Sequence, residues 1–286
     1  MPLLLRRDFN LCPHKTFIRS PNNTLTYSEF NDLTNCCANK LAHQGLKKGG
    51  KLGIMMHNSI AFVHSWIAAS KLGVIYVPIN TDYKGDILQY QLDKADVTHL
   101  IVDISLAPRV SDVISELPQL QQVILYDDEE PEADLTLLES NCVVSKFEDF
   151  LTGSNLEPSL EILHTDPLAI SFTSGTTGPS KGVLATHCHV ITFAMDWITA
   201  CQFDLNDRLY TPLPMFHAIA TWLGVIPTFI VRTEIAFVKN LSISRFWDDV
   251  RKYNSSVVHG IFAMVPMLLK QPEREEDKDV PARLFY

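Results

Sequence analysis

One ten-residue segment, residues 173–182, concentrates groups that bind phosphate. It reads Thr-Ser-Gly-Thr-Thr-Gly-Pro-Ser-Lys-Gly and follows an apolar run directly. Its glycines let backbone N–H groups turn toward one point, its hydroxyls add hydrogen-bond donors, and Lys181 adds a positive charge. Together these groups predict a cradle for the phosphates of a nucleotide.

Other interpretations of this segment are weaker. A stretch rich in Gly, Ser and Thr is by itself typical of a flexible surface loop, but the preceding apolar run and the following Val183 and Leu184 favour a binding site. A Walker-type loop ends in Gly-Lys-Ser/Thr. Here Ser180 precedes Lys181 and Gly182 follows it, which disfavours a kinase or GTPase of that class.

A second group with possible chemistry is Leu-Pro-Met-Phe-His at residues 213–217, where another predicted strand ends. A histidine taken alone is more often structural. In open α/β sheets, however, ligands bind outside the carboxyl ends of the strands. The position of His217 therefore favours a functional role.

Hydrophobic periodicity predicts strands that alternate with helices. This alternation implies parallel-rich sheets flanked by helices, the α/β class. Helices are predicted over residues 27–44, 59–72, 85–94, 187–200 and 244–253. Strands are predicted over residues 51–57, 74–79, 97–102, 122–126, 167–172, 208–213, 234–238 and 256–261.

Two segments lack these periodic signals. Residues 127–134 are acidic and predict a surface loop. Residues 152–165 are expected to separate a first lobe, residues 1–160, from a second lobe, residues 161–286. The phosphate-binding segment would belong to the second lobe, between a strand and a helix.

Composition narrows the possible partners and compartments. The chain has 286 residues and a formal net charge of −9, which disfavours nucleic acid as a partner. The basic cluster Lys47, Lys48 and Lys51 is interpreted as a solvated turn. The cysteine spacings fit neither a disulfide framework nor a zinc site, which indicates reduced thiols. With no signal-peptide core and no apolar run of bilayer length, we expect a cytoplasmic protein without a membrane span.

Residues 173–182 resemble the phosphate-binding signature of the adenylate-forming superfamily, which includes acyl-CoA synthetases, luciferases and peptide-synthetase adenylation domains. The usual form is Thr-Ser-Gly-Thr-Thr-Gly-x-Pro-Lys-Gly. Here proline stands one place early, at Pro179, and the register of Lys181 is kept. Thr186 and His187 match the family's Thr-His pair.

Two further matches extend the resemblance along the chain. Residues 213–217 are similar to the family's aromatic-His motif beside the acyl site. A diffuse match over residues 245–272 most resembles the crotonobetaine/carnitine–CoA ligase branch. The resemblance implies the two lobes of the large N-terminal domain of adenylate-forming enzymes, truncated.

The resemblance also implies a reaction and its participants. ATP would activate a small carboxylic acid as an acyl-adenylate, Mg²⁺ would bridge the phosphates, and coenzyme A would accept the acyl group. Lys181 and His217 are the implied catalytic residues, and Thr177 is the implied metal contact. The residues implied to bind ATP are Thr173, Ser174, Gly175, Thr176, Thr177, Gly178 and Lys181. The residues implied to contact the acid are His217, Trp222 and Gly260.

Several alternatives stay open. Peptide-synthetase domains place an aspartate where this chain has His217, so a simple acid is favoured over an amino acid. Luciferase-type oxygenation and a non-catalytic fragment that binds nucleotide or a partner also remain. The family's Gly-Tyr-Gly-x-Thr-Glu motif, ribose-binding aspartate and mobile C-terminal domain are not found. We therefore expect an N-terminal fragment that is inactive alone, with a separately encoded C-terminal half as one possible partner.

Overall fold

The computed structural model describes residues 2–126, 135–173 and 180–286, without the side chains of residues 3–5, 7 and 8. The predicted loop over residues 127–134 lies outside the described residues. The chain divides into two compact units. The first contains Asn31–His57 and Ala61–Val190, and the second contains Leu3–Phe30, Asn58–Ile60 and Ile191–Tyr286.

The helices and strands alternate along most of the described chain. The strands are β1 (Thr16–Arg19), β2 (Thr24–Thr26), β3 (Lys51–Met55), β4 (Ile75–Pro78), β5 (His99–Asp103), β6 (Gln122–Tyr126), β7 (Val143–Lys146), β8 (Pro167–Phe172), β9 (Gly182–Thr186), β10 (Arg208–Thr211), β11 (Glu234–Phe237), β12 (Val257–Val258) and β13 (Leu284–Phe285). The α-helices are α1 (Pro2–Leu11), α2 (Tyr27–His43), α3 (Ile60–Leu72), α4 (Asp86–Lys94), α5 (Ala107–Ser111), α6 (Thr136–Asn141), α7 (His187–Cys201), α8 (Ala218–Ala220), α9 (Ile226–Val231), α10 (Phe246–Lys252) and α11 (Met264–Leu269). A π-helical turn, Thr221–Val225, joins α8 to α9.

The first unit is built on a sheet ordered β7-β6-β5-β3-β4-β8-β9, which we call the first sheet. Its strands are parallel except β9, which runs antiparallel to β8. Every residue of β4 and β5 is buried. Complete burial is typical of parallel strands that are covered by helices on both faces.

The second unit has its own sheet, ordered β13-β12-β10-β11-β1-β2, which we call the second sheet. Only β2, antiparallel to β1, departs from a parallel arrangement. The ring of Phe17 in β1 stacks on Phe229 of α9, with centroids 4.2 Å apart. The Tyr27 hydroxyl donates to the carbonyls of Thr228 and Thr233 at 3.0 and 2.7 Å, so N-terminal residues are built into this sheet's core.

Each sheet contains a point at which the order of its strands reverses. In the first, β4 follows β3 on one side and β5 then lies on the other side of β3. In the second, β11 follows β10 on one side and β12 lies on the other side of β10. Such topological switch points leave a crevice at the carboxyl ends of the strands. The predicted α/β class, with parallel-rich sheets flanked by helices, is confirmed.

Helix α2 shows how the sequence sets an element boundary. The Thr26 backbone N–H donates to Glu29 Oε2 at 2.8 Å, and the Glu29 N–H donates to Thr26 Oγ1 at 3.3 Å. This reciprocal capping box satisfies donors that a helix start leaves free. Among the described residues, no helix is both long and apolar enough to cross a membrane.

The phosphate-binding segment was expected between a strand and a helix, and this prediction was wrong. The segment joins β8 to the antiparallel strand β9, and α7 begins only after β9. Gly182 permits the close pairing, because a Cβ there would lie 2.9 Å from Ile170 Cγ2. The segment is therefore the connection of a β-hairpin at the edge of the first sheet.

The two units also differ from the predicted lobes on either side of residue 160. The segment expected to separate the lobes is fastened to the first unit. The buried Lys71 Nζ donates to Glu157 Oε2 at 2.8 Å and to Asn35 Oδ1 at 2.7 Å, and Asn39 Nδ2 donates to the Ser154 carbonyl at 2.9 Å. Because β8 and β9 pair within the first sheet, the phosphate-binding segment belongs to the first unit.

The basic cluster before β3 is paired rather than only solvated. Lys48 Nζ lies 2.6 Å from Asp166 Oδ2 and donates to the Glu161 carbonyl at 2.9 Å. Lys51 Nζ lies 3.3 Å from Asp96 Oδ2. Lys48 thus holds the chain where it enters β8, at the end of that strand opposite the phosphate-binding segment.

Candidate active site

The two ends of the phosphate-binding segment lie on neighbouring strands of the first sheet. The Thr173 N–H donates to the Lys181 carbonyl at 3.1 Å, one step beyond the β8–β9 pairing. The Tyr90 hydroxyl donates to the Ser180 carbonyl at 3.1 Å. The Lys181 side chain is exposed and forms no ion pair with a described residue. The predicted ATP-binding residues Ser174, Gly175, Thr176, Thr177 and Gly178 lie outside the described residues.

The base of this hairpin is held by Asp166. Its carboxylate accepts from the Leu163 N–H at 2.8 Å, and its carbonyl accepts from the His187 N–H at 3.1 Å. The hydrogen bond from Lys48 keeps the pKa of Asp166 below its usual range. Burial lowers the pKa of His187 to about 4, so its imidazole is neutral at pH 7.

A His–Asp pair occupies the switch point of the first sheet. Asp103, the last residue of β5, accepts from His57 twice: Oδ2 lies 2.7 Å from the backbone nitrogen and 2.5 Å from Nδ1. His57 follows β3, the neighbouring strand. Sequence reasoning missed this pair. Its signal was a polar residue at the carboxyl end of each of two apolar strands.

In the second unit, Asn58 fixes the carboxyl ends of two strands. Its Nδ2 donates to the carbonyls of Leu213 and Val238 at 2.9 and 3.1 Å, and its Oδ1 accepts from the Met215 N–H at 2.7 Å. Asn58 is buried. It therefore shapes the turn that leads to His217, a role that sequence reasoning also missed.

His217 ends that turn immediately before α8. Its ring lies against Phe216, with centroids 4.5 Å apart. The residue is exposed overall, yet desolvation of the packed ring lowers the pKa of its imidazole. A neutral side chain at this position provides hydrogen-bonding groups and no charge at pH 7.

Trp222 and Gly260 both belong to the second unit. Trp222 is buried in the π-helical turn, a helix irregularity often found at functional sites. In the same turn, a Cβ on Gly224 would lie 3.3 Å from His259 Cε1, so the turn packs against the residue before Gly260. A Cβ on Gly260 would lie only 2.0 Å from Phe285 Cζ, and glycine is therefore required beside that ring.

The structure thus distributes the predicted site residues between the units. Thr173 and Lys181 lie in the first, and His217, Trp222 and Gly260 lie in the second. A family model described as AMP-binding enzyme matches residues 5–285. The chain belongs to the AMP-binding enzyme family. This membership confirms the resemblance to adenylate-forming enzymes.

Relatives of this AMP-binding chain include transport proteins and ligases. It is 29% identical to long-chain fatty acid transport protein 6 of Mus musculus over 274 residues, covering 95% of this chain and 43% of that protein. It is 27% identical to crotonobetaine/carnitine–CoA ligase of Proteus mirabilis over 273 residues, covering 91% of this chain and 50% of that protein. The chain spans about half the length of these curated relatives.

Solved structures support the same fold. The inhibitor-bound N-terminal domain of FACL13 from Mycobacterium tuberculosis superposes with a TM-score of 0.85 at 26% identity, covering 99% of this chain and 68% of that one. ATP-bound MatB from Rhodopseudomonas palustris superposes with a TM-score of 0.82 at 22% identity, covering 99% of this chain and 54% of that one. The second likeness concerns the fold alone.

Proposed function

We propose that this chain is the ATP-binding part of an acid–CoA ligase. A carboxylate oxygen attacks the α-phosphorus of ATP, and the bond to the bridging oxygen breaks as pyrophosphate leaves with the electron pair. The thiol sulfur of coenzyme A then attacks the acyl carbon of the adenylate. The acyl C–O bond breaks, AMP leaves, and the thiol proton passes to solvent.

One observation supports this proposal most directly. In this chain of the AMP-binding enzyme family, residues 173–182 connect the antiparallel strands β8 and β9 at the carboxyl end of β8. Open α/β sheets bind ligands outside the carboxyl ends of their strands. In the proposed site, residues 173–178 and Lys181 hold the β- and γ-phosphates. Fixed donors of this kind act mainly by positioning and by stabilising charge.

Mg²⁺ would neutralise phosphate charge and bridge phosphate oxygens. A threonine hydroxyl fits such a hard cation, and Thr177 is the proposed contact. Among the described residues, no cluster of His, Cys, Asp and Glu is arranged to hold a metal ion. The metal would therefore be held largely through the nucleotide.

The acid is proposed to lack an α-ammonium group. An amino-acid substrate needs a negative charge beside its α-ammonium, and the residue at the corresponding place is His217, whose lowered pKa keeps it neutral. Trp222 and Gly260 are proposed to line the acid site with it. The names of the ligase relatives support coenzyme A as the acceptor, and we propose that the reaction takes place in the cytoplasm.

The first experiment concerns nucleotide binding by the 286-residue chain. A charge-assisted hydrogen bond contributes about 1.5–3 kcal/mol, so Lys181→Ala should weaken ATP binding about tenfold to a hundredfold in calorimetry with Mg²⁺. Lys94→Ala is the control, because Lys94 is also exposed and lies in the last turn of α4, where the chain leads to the amino end of β5. Equal ATP affinity for Lys181→Ala and the parent chain would refute the role of Lys181.

The second experiment concerns turnover. Since the chain spans about half the length of its curated relatives, we propose that it needs contacts from a further half, and that alone it forms thioester orders of magnitude more slowly. Each 1.36 kcal/mol of lost transition-state stabilisation lowers the rate about tenfold. Thioester formation is measured from ATP, coenzyme A and an acid panel, with and without the remaining half of a relative. Rapid turnover by the chain alone would disprove this requirement.

A further inference from the structure

The switch point of the second sheet is lined by buried polar atoms that have no hydrogen-bond partner among the described residues. Thr211 ends β10, and His259 follows β12 on the neighbouring strand. Tyr210 is in register with Val258, and the His259 N–H donates to the Tyr210 carbonyl at 2.9 Å. The next pair in this register is Thr211 and His259, whose side chains therefore share one face of the sheet.

Both side chains are fully buried, with an exposed fraction of 0%. Within the described part of the chain, Thr211 Oγ1 and both ring nitrogens of His259 lack hydrogen-bond partners. The Leu223 carbonyl lies near the His259 ring and acts to raise the pKa of the imidazole, but it does not meet the geometry of a hydrogen bond. Burial still lowers the pKa of His259 to about 3. The neutral imidazole has one donor nitrogen and one acceptor nitrogen.

A third unpaired group adjoins these two. Trp197 of α7 packs edge-on against the His259 ring, with centroids 5.5 Å apart, and its Nε1 also lacks a partner among the described residues. A cavity of about 220 Å³ lies on the Trp197 side of this cluster, with Trp197, Leu223 and Tyr286 in its wall. The π-helical turn packs against the His259 ring at Gly224.

Unpaired buried polar atoms are rare in proteins because each is costly to desolvate. Here two such side chains lie at a topological switch point, where open α/β sheets bind ligands, and the third packs against one of them. We propose that Thr211, His259 and Trp197 form the floor of the acid-binding pocket and bind a neutral hydrogen-bonding group, such as a hydroxyl, carried on the acyl chain of the acid. The inference rests on the proposed function and narrows its substrate to hydroxylated or similarly substituted acids.

A stability experiment on the 286-residue chain tests whether the cluster is unpaired. Thr211→Val replaces a hydroxyl by an isosteric methyl group and should leave Tm unchanged or raise it, by about 2–4 °C. Thr228→Val is the matched control, because Thr228 is equally buried and its hydroxyl donates to the Gly224 carbonyl at 2.8 Å. Thr228→Val should lower Tm. An equal decrease in both variants would mean that the Thr211 hydroxyl is structural, and would overturn the proposal.

A selectivity experiment tests the ligand. The chain, supplied with the remaining half of a relative, is assayed with butanoate and hexanoate against their ω-hydroxy derivatives, and with benzoate against para-hydroxybenzoate. We expect a preference of about tenfold or more in kcat/KM for the hydroxylated member of at least one pair. His259→Leu and Thr211→Val should bring that ratio toward one, and His259→Gln should retain part of it.

The outcomes separate the two proposals. Turnover with unchanged ratios in His259→Leu and Thr211→Val would overturn the assignment of the cluster and leave the ligase function standing. A parent chain that prefers the unsubstituted acid in every pair would overturn the assignment in the same way. If no acid is activated when the chain is supplied with the remaining half of a relative, the proposed ligase function is overturned, and the proposed acid selectivity is overturned with it.

Discussion

The two units place different chemistry at equivalent positions. At the switch point of the first sheet, a hydrogen-bonded pair, His57 and Asp103, joins the ends of β3 and β5. At the switch point of the second sheet, Thr211 ends β10 and His259 follows β12. Neither side chain has a hydrogen-bond partner among the described residues. The polar side chains at the first switch point pair with each other, whereas those at the second lack partners among the described residues.

This contrast shows that a position in the fold does not by itself identify a binding site. Both switch points have the topology that binds ligands in open α/β proteins. What separates them is whether the polar groups are already satisfied. A hydrogen-bonded pair stabilises the strand ends. Buried polar groups without partners instead destabilise the fold by their desolvation cost until a ligand binds them.

The largest effect is expected from breaking the paired switch point. Asp103→Ala removes a buried acceptor from two hydrogen bonds, and bonds to charged groups contribute about 1.5–3 kcal/mol each. We expect the free energy of unfolding in urea to fall by about 3 kcal/mol. Asp103→Asn keeps one acceptor for the His57 N–H and should lose about half as much. A loss well below 1 kcal/mol in Asp103→Ala would show that the pair does not hold this crevice.

The next effect concerns pH at the unpaired switch point. Burial lowers the pKa of His259 to about 3, below the unfolded value of about 6.5. As pH falls below about 6.5, the unfolded chain binds a proton that the folded chain does not, so stability is full above that pH and is lost toward pH 3.

His259→Leu removes this titration. As pH falls from 6 to 4, the free energy of unfolding of the variant relative to the parent should therefore rise by about 1.4 kcal/mol per pH unit. Urea unfolding at several pH values measures the difference. Trp197→Phe is the control, since it alters the same cluster without removing a titrating group. A pH-independent difference for His259→Leu would contradict the buried neutral imidazole.

The smallest effect compares two buried histidines, one in each unit. His64 is also buried and its pKa is also lowered to about 3 by burial. Its Nδ1 lies 2.8 Å from Thr34 Oγ1, so this histidine has a partner. At pH 8, His64→Leu should lose about 1 kcal/mol, and Thr34→Val in the same chain should recover part of the loss. If His259→Leu and His64→Leu lose equal free energy of unfolding, the presence of a hydrogen-bond partner does not distinguish the two histidines.

Much of the fold could be predicted where local signals are strong. Strand β8 begins and ends where the apolar run predicted, and α2 begins at its capping box. Strand β1 was missed because it is short and pairs with the distant strand β11, where the Arg19 side chain donates to Glu234 across 215 positions. The helices over residues 218–231 were missed because their sequence is almost uniformly apolar and shows no helical period.

The candidate site could be predicted from the sequence where its proposed residues lie in contiguous motifs. Lys181 and His217 were identified because each belongs to a short segment that resembles a family signature. Thr211 and His259 lie in separate segments that the sheet register brings together. Their lack of hydrogen-bond partners within the described chain depends on every neighbouring atom, and no sequence pattern encodes it.

The position of β1 has a consequence for biosynthesis. The ribosome completes β1 and β2 long before β11, the strand that β1 must join, since the Arg19 side chain donates to Glu234 of β11 across 215 positions. At about 5–20 residues per second, that interval is roughly 10–40 s. During that time the nascent chain can complete the first sheet, while the hairpin of β1 and β2 keeps an open edge. An expression clone that begins at residue 31 would therefore delete two strands from the unit that is synthesised last.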